Sequence, residues 1–463
     1  MAKQLLDYEV AQRVLGASLA EGADFAEVFA EDSMSSVASL DDAKVDELSA
    51  GHSKGVGIRV IYGDTTGFAY TSEFDEKSLI EAAKAARAVA KSLNKTKSIE
   101  LEAAKGGFRG ERVRIDKARQ VELLRQMDDA ARSMGKEITQ VVAVVGQSSR
   151  RMTVANSNGL FVSDEQTRSR LMVNAIAKGD TGLQSGYDTI ALTIPLEELL
   201  EEMDIDKIAK NAARLALSKL EAKPAPSGTL PVVIKGGSGG ILFHEACGHG
   251  LEADHIQKGV SVYANRIGEK VASDLVTLVD DATVNKEWGT FHFDDEGHPA
   301  KRNVLIEDGV LIDYMWDRNR SNKSDHPQTG NGRRQSYKHL PMVRMTNTYM
   351  IAGQEDPENI ISSTTKGVYV AKLSGGQVNT ATGDFVFGTS EAYLIENGKI
   401  TTPLRDTNLI GNGPEILSLI DAVGDDFSMT PGTCGKDGQS VSVGCGQATL
   451  RVSQMTIGGT ADA

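Results

Sequence analysis

The sequence predicts an α+β protein: an N-terminal α/β half built on an antiparallel sheet, then a mainly antiparallel β domain that carries one metal-binding helix. Helical and strand-like stretches alternate up to about residue 220. The segment Ala222 to Gly228 then has the proline and glycine content of a linker. Beyond it strand-like runs dominate, and Asp308-Gly309 and Asn397-Gly398 are dipeptides that favour two-residue hairpin turns. A chain of 463 residues is too long for one ordinary core, so the expected domains are 1–221 and 222–463.

In chain order, apolar residues recur at helical spacing from Leu5 to Glu21, where Gly22 stops the pattern. Short β-rich runs follow at Asp24 to Glu31, Ser35 to Leu40, Gly55 to Tyr62 and Gly67 to Thr71, the last two joined by a Gly63-Asp64 turn. Ser78 to Leu93 and Ile115 to Met134 read as amphipathic helices. Strand character returns at Glu137 to Val145, Met152 to Asn156, Leu160 to Asp164 and Arg168 to Lys178, and Leu196 to Leu220 reads as one long helix. In the second half, strands are expected at Gly228 to Ile234, Thr277 to Asp280, Val304 to Glu307, Val310 to Tyr314, Thr348 to Ile351, Gly367 to Leu373, Phe385 to Ile395 and Lys399 to Thr402.

Composition narrows the functional classes. Net charge is −14 without a charged tail, which argues against nucleic acid as the main partner, since phosphate binding needs a concentrated cationic face. No segment reaches 18 apolar residues and Met1 to Glu9 lacks a secretory pattern, so no membrane association and a cytoplasmic location are expected. Three cysteines, Cys247, Cys434 and Cys445, are too few for a disulfide framework and are expected as thiols.

The chemistry concentrates in His244-Glu245-Ala246-Cys247-Gly248-His249, which holds two of only eight histidines. Imidazole is a good zinc donor, and a glutamate beside the first histidine can reach a metal-bound water without ligating. The spacing is i, i+5. On a regular helix such side chains diverge by roughly 140°, so joint ligation requires a π-type turn or a helix that breaks between them. Gly248 sits where such a distortion is easiest. The preceding glycine run is no phosphate loop, because Gly239-Gly240-Ile241 lacks the Gly-Lys-Ser/Thr of the Walker pattern. A zinc hydrolase needs a third protein ligand. His255, Cys247 and Cys434 are all candidates, and composition does not choose among them.

Taken with Gly55 to Val60, Gly67 to Thr71, Thr329 to Arg334, Arg344 to Tyr349 and Gly432 to Gln439, the His244 to Asp254 stretch resembles the TldD branch of the TldD/PmbA family of metallopeptidases. The resemblance covers nearly the whole chain. It implies one zinc ion per chain held by His244, His249 and Cys434, with Cys434 in a late glycine-rich loop and Glu245 as general base. It also implies cleavage of unfolded or extended peptides, and a homologous PmbA/TldE-type subunit as partner in a heterodimer, or else a homodimer.

Further roles are expected from residue chemistry. Glu252 and Asp254 can orient imidazoles or serve as solvated carboxylates. Arg333, Arg334 and Arg344, in a basic stretch with Lys338 and His339, can bind a peptide carboxylate or an oxyanion, or form internal salt bridges. Two rivals to zinc hydrolysis are a cysteine peptidase using Cys247 and His249, which do not face each other on a helix, and a metal-stabilised peptide-binding or structural subunit without activity.

Overall fold

A computed structural model describes residues 4–20, 22–90, 102–105, 116–237 and 239–459. Of the segments read above, Met1 to Lys3, Glu21, Lys91 to Leu93, Ile115 and Ser238 lie outside the described residues.

Aspartates open the N-terminal helices. Asp7 accepts from the Glu9 and Val10 N–H groups ahead of α1 (Tyr8–Leu19), Asp75 from Ser78 ahead of α2 (Glu76–Val89), and Asp116 from Ala118 ahead of α3 (Lys117–Arg132). Each satisfies N–H groups left orphaned in a first turn, worth about 1 kcal/mol per cap. The same chemistry splits the long helix expected from Leu196. Asp204 adopts extended backbone and accepts from the Lys207 N–H, so α4 (Leu196–Glu202) ends and α5 (Ile205–Leu220) begins anew.

The strands of this half are longer than their hydrophobic patterns. β1 (Phe25–Asp41) merges two expected runs, β2 (Lys44–Tyr62) begins at Lys44 rather than Gly55, and β3 (Thr65–Thr71) completes a hairpin through Gly63 and Asp64. Ser33 to Ser36 carry little apolar signal, yet they are paired on both sides, with β2 and with β5 (Ile138–Asn156). β5 and β6 (Leu160–Gly179) likewise span two expected runs each. β4 (Glu102–Lys105) and β7 (Gly182–Leu192) complete a seven-stranded sheet in the order β3-β2-β1-β5-β6-β4, with β7 also on β6.

α1 and α2 pack over β1 to β3 around Val14, Leu15, Val28 and Ile58, while α3 and α5 pack over β5 to β7 around Leu124, Met127, Val173 and Ala212. At Gly186 on β7 a Cβ would collide with the backbone of Ala212 and Ala216, so glycine lets the alanine-rich face of α5 lie directly on the sheet.

The Pro/Gly segment is not a free linker. Within it β8 (Lys223–Pro224) pairs with β18 (Lys399–Arg405), and Ala225 is buried in the C-terminal core. β9 (Gly228–Ile234) joins β16 (Lys366–Val378), β17 (Asp384–Glu396), β18, β19 (Asn408–Asn412), β20 (Ile420–Val423) and β23 (Leu450–Gly458) with β8 in an eight-stranded sheet. Because β16 pairs with both β9 and β17, the ladder β16-β9-β23-β19-β17 returns on itself as a ring.

The second C-terminal sheet has six strands. β10 (Leu278–Asp281), β11 (Arg302–Glu307), β12 (Val310–Leu311), β15 (Asn347–Met350), β21 (Ser428–Lys436) and β22 (Gln439–Gln447) run in the order β12-β11-β10-β15-β22-β21. β13 (Gly332–Arg333) and β14 (Met342–Val343) form a small separate ladder. Most pairings are antiparallel; β15 with β22, β9 with β16, β8 with β18 and β4 with β6 are parallel. Short helices α8 (Arg318–Ser324), α9 (Pro357–Ser362) and α10 (Gly413–Ser418) fill connections, following α6 (Gly240–Phe243) and α7 (Ala253–Gln257) of the histidine segment.

The two halves are joined by buried charge. The Arg59 guanidinium donates to Glu27 and to Glu296, both at 2.7 Å, and Arg334 pairs with Glu27 from the other side. Tyr337 packs beside this network on Phe29 and Met152, where Gly55 leaves no Cβ in the way of its ring. Among the described residues no helix is long and apolar enough to cross a membrane.

Candidate metal centre

β9 delivers the chain into a glycine turn and then α6 (Gly240–Phe243), which packs on β15, β21 and β22 of the six-stranded sheet, while the turn after it also meets β16 and β17 of the ring. Gly240 explains how it fits: a Cβ there would collide with the β22 backbone at Cys445 and Gly446. The glycines thus serve close backbone approach.

The helix widens where the i, i+5 spacing requires. His244 to Gly248 form a π-helical turn, with the His249 N–H donating to the His244 carbonyl, and His249 to Leu251 tighten into a 3₁₀ turn before α7 (Ala253–Gln257). The two rings meet edge to face, centroids 5.0 Å apart at 85°. Gly248 does not supply the distortion through unusual backbone, since its φ of −52° and ψ of −54° are ordinary helix. Its role is spatial, because a Cβ would strike the Met345 sulfur.

Of the three candidates for a third donor, the fold brings one to the histidines. Ligand atoms of His244, His249 and Cys434 all lie within 4.8 Å of one another, and Cys434 Sγ is 3.4 Å from His249 Nε2. Cys434 does not sit in a loop. It is on β21, directly across from Val441, in a hairpin closed by Asp437-Gly438, whose positive φ angles of 48° and 76° match the dipeptide turns recognised elsewhere. Cys247 is fully buried and donates to the Phe243 carbonyl, while burial pushes its thiol up beyond any useful thiolate range. That arrangement leaves a Cys247–His249 nucleophile pair without support. His255 joins Glu252 and Asp254 in a separate group.

The electrostatics follow from this convergence. Burial raises the Cys434 pKa, but the His244 and His249 imidazoles outweigh it and hold the thiol at about 4. Burial lowers His249, yet the Glu252 carboxylate and Cys434 carry it up to about 9. His244 is raised well above its ordinary value, against burial, by Cys445 and Cys434. Cys445, on β22, therefore flanks the same imidazole, a neighbour that spacing alone did not disclose.

Glu252 orients one imidazole: its carboxylate accepts from His249 Nδ1 at 3.0 Å, which leaves Nε2 for the cluster. Asp254 makes no hydrogen bond to an imidazole among the described residues; it binds Lys436 at 2.7 Å, and Lys436 also binds Glu252 at 3.0 Å. Lys436 went unremarked in the sequence, although it stands two residues beyond Cys434 on the same strand. Glu245 is half-buried and makes no hydrogen bond or ion pair among the described residues.

The arginines divide by environment. Arg344, fully buried, donates to the carbonyls of Cys434 and Gln439 and so fixes the hairpin that carries the thiol. Arg334 is spent on Glu27 and the Asp295 carbonyl. Arg333 donates to the carbonyls of Met345 and Ser442 and borders a cavity. Lys338 and His339 stay outside the histidine cluster, His339 bonding Ser336 at 2.9 Å.

The donor set fits a soft to borderline divalent cation: two imidazoles and one low-pKa thiol, with His244 Nδ1 buried and lacking any hydrogen-bond partner among the described residues. Comparison with known proteins agrees. The sequence matches the PmbA/TldA metallopeptidase C-terminal domain over residues 227–459, the central domain over 113–220 and domain 1 over 26–90. It is 40% identical to a metalloprotease TldD homolog of Buchnera aphidicola over 91% of this chain and 90% of that one. It is 38% identical to the homolog of Haemophilus influenzae over 94% and 93%. A zinc metalloprotease TldD homolog of Saccharolobus solfataricus is 29% identical over 65% and 66%. Similar solved structures include a protein described as a modulator of a DNA gyrase from Thermotoga maritima, with TM-score 0.79, 21% identity and coverage of 97% and 99%. TldE from Thermococcus kodakarensis follows with TM-score 0.75, 21% identity and coverage of 94% and 97%. The chain belongs to the PmbA/TldD family of metallopeptidases, and domain 1 and the central domain of that family here share a single β-sheet.

Proposed function

We propose that the protein is a zinc-dependent peptidase acting on unfolded or extended peptides, with His244, His249 and Cys434 as ligands of one zinc ion per chain. The observation that carries the reading is the meeting of those three side chains from two distant segments within 4.8 Å. Zinc held there would polarise a scissile carbonyl and lower the pKa of a bound water toward about 7. Glu245, next to His244 and uncommitted, takes the proton from the attacking water and returns it to the leaving amine. Glu252 keeps His249 in the tautomer and orientation that ligation needs, and Lys436 neutralises the carboxylates behind it. A thiolate donates more charge than a third imidazole would, so modest turnover is expected.

Extended substrates suit the location. Cys434 lies on β21, the outermost strand of its sheet, and an edge strand is an ordinary template for an added peptide strand. The partner we propose is a homologous TldE-type subunit, or otherwise a second copy of this chain, in the cytoplasm; the likeness to a TldE structure supports this.

The test is metal analysis and unfolded-peptide cleavage for wild type and Glu245→Gln, with and without a co-expressed homologous subunit. Stoichiometric zinc in both forms and cleavage by wild type alone are expected. Equal cleavage by the two forms would remove Glu245 from its role. Metal in both and cleavage by neither, even with the partner, would favour a structural metal.

A further inference from the structure

A second charged site lies behind the Cys434 hairpin. A cavity of about 110 Å³ is walled by Arg150, Arg168 and Arg333, with Phe291 beside them and the β22 residues Ser440 to Ser442 closing one side. Those β22 residues stand opposite Gly435, Cys434 and Thr433 in the hairpin, so the cavity is one strand removed from the proposed zinc ligand. Gln335 and Ser440 at its rim are exposed, whereas Arg168 and Arg333 are more than nine-tenths buried. With a water occupying about 30 Å³ of liquid volume, the space suits a carboxylate with its neighbouring atoms.

The charges around it do not balance. Arg168 donates to the carbonyls of Trp288 and Thr290, both at 3.1 Å, and to the Gln166 amide oxygen at 2.7 Å. Among the described residues Arg333 donates to the carbonyls of Met345 and Ser442 and to no carboxylate. Neither is in an ion pair among the described residues, although buried guanidinium groups ordinarily have a carboxylate partner. The Arg150 charge is met by Asp295 at 2.8 Å and Glu31 at 3.5 Å. Asp294, Asp295 and Arg334 also line the cavity: burial and Glu296 push the Asp294 carboxyl well above the usual range, so it offsets little, Asp295 is taken up by Arg150 and the Arg334 N–H, and Arg334 is paired with Glu27. Burial and the charges of Arg333 and Arg150 lower Arg168 to about 9; burial, opposed by Asp295 and aided by Arg344, lowers Arg333 to about 10. Two buried cations held by neutral oxygens in a chain of net charge −14 are the inverse of its surface.

We propose that this cavity binds a carboxylate of the peptide substrate, received between Arg168 and Arg333 while the adjoining backbone runs past the Cys434 hairpin. This rests on the peptidase reading and deepens it. Guanidinium is the side chain that matches a carboxylate with two parallel hydrogen bonds, and Phe291, stacked by Arg333, fixes the plane of that guanidinium. The carboxylate can be the peptide's own C-terminus or an acidic side chain; both share the chemistry.

The experiment reads binding and turnover separately. A fluorescent peptide series carries a free C-terminus, an amidated C-terminus, or acidic side chains replaced by their amides; anisotropy is followed with full-length Glu245→Gln protein and KM with wild type. At least a tenfold tighter Kd for a carboxylate-bearing peptide over its amide is expected, and which amide loses affinity identifies the source. Arg168→Gln and Arg333→Gln should abolish that preference without changing the affinity for the fully amidated peptide. The wild-type series needs no variant, so a misfolded mutant does not blunt the test. Equal affinities across the series overturn the proposal, as does a site that is competed by inorganic phosphate yet ignores peptide carboxylates. Carboxylate-dependent anisotropy in a protein that cleaves nothing would uphold the cavity while the peptidase reading fails.

Discussion

His244, His249 and Cys434 form one group whose ligand atoms meet within 4.8 Å; Glu252, Asp254 and His255, a few residues on, form another by the same measure. The second already contains a cation. Lys436 places its ammonium 3.0 Å from Glu252 and 2.7 Å from Asp254, and burial together with that charge lowers the His255 pKa. Among the described residues no lysine or arginine side chain pairs with a member of the first, and its thiol is held as a thiolate by the two imidazoles. Clustering of donors therefore does not define a metal site. What separates the groups is that the second already holds an ammonium among its carboxylates, whereas no lysine or arginine among the described residues enters the first.

The largest expected effect breaks the first group. His249→Ala or Cys434→Ser should leave the purified protein with substoichiometric zinc by elemental analysis and with no measurable peptide cleavage, since three protein donors are the minimum for a catalytic zinc site. Retained zinc and activity in both variants would place the ion elsewhere. Next in size is Glu245→Gln, which keeps the donors and removes the base; turnover should fall by about 10²- to 10⁴-fold with metal content unchanged.

Much of this contrast is legible in the sequence, and the remainder fails for identifiable reasons. For both imidazoles to ligate, the i, i+5 spacing calls for a π-type turn or a helix that breaks, and the first of these is present at His244 to Gly248. Glycines flanking the thiol make the Cys434 segment read as a loop, although Asp437-Gly438 carries the same hairpin signal as Asp308-Gly309 and Asn397-Gly398. Lys436 lies within the motif but gives no local sign of reaching Glu252, which is distant in sequence. In the N-terminal sheet, Ser33 to Ser36 and Lys44 to Lys54 pair through backbone without an apolar alternation, so pattern reading shortens β1 and β2. The burial of Arg334 and Arg344 is likewise invisible, because nothing local distinguishes a guanidinium bound to carbonyls from one facing substrate.

A third change sharpens the comparison from the other side. Lys436→Met removes the ammonium and strands Glu252 and Asp254, whose carboxylates are buried. Breaking a buried pair costs about 3–5 kcal/mol, so the urea midpoint should fall accordingly at pH 7. If the variant also takes up a second divalent cation by calorimetry, the ammonium alone distinguishes the two groups. An unchanged midpoint would show that Lys436 does not neutralise them.

The smallest expected effect lies outside both groups and acts as their control. Asp317 accepts from the Arg320 N–H at the start of α8, and burial, then Glu296, raise its pKa to about 7 against the pull of Arg59. A carboxyl whose folded pKa exceeds its ordinary 3.8 is harder to ionise in the native state, so its contribution to stability is complete below about pH 4 and is lost as pH rises through about 7. An asparagine side chain caps a helix as well as an aspartate does and does not ionise. Asp317→Asn should therefore gain stability over wild type at pH 8 relative to pH 5, by at least the roughly 1.4 kcal/mol that one pKa unit represents, with zinc content and cleavage unaltered. A parallel pair of pH-stability curves would mean that the buried charges joining the two halves relax around Asp317 and leave its carboxyl free to ionise.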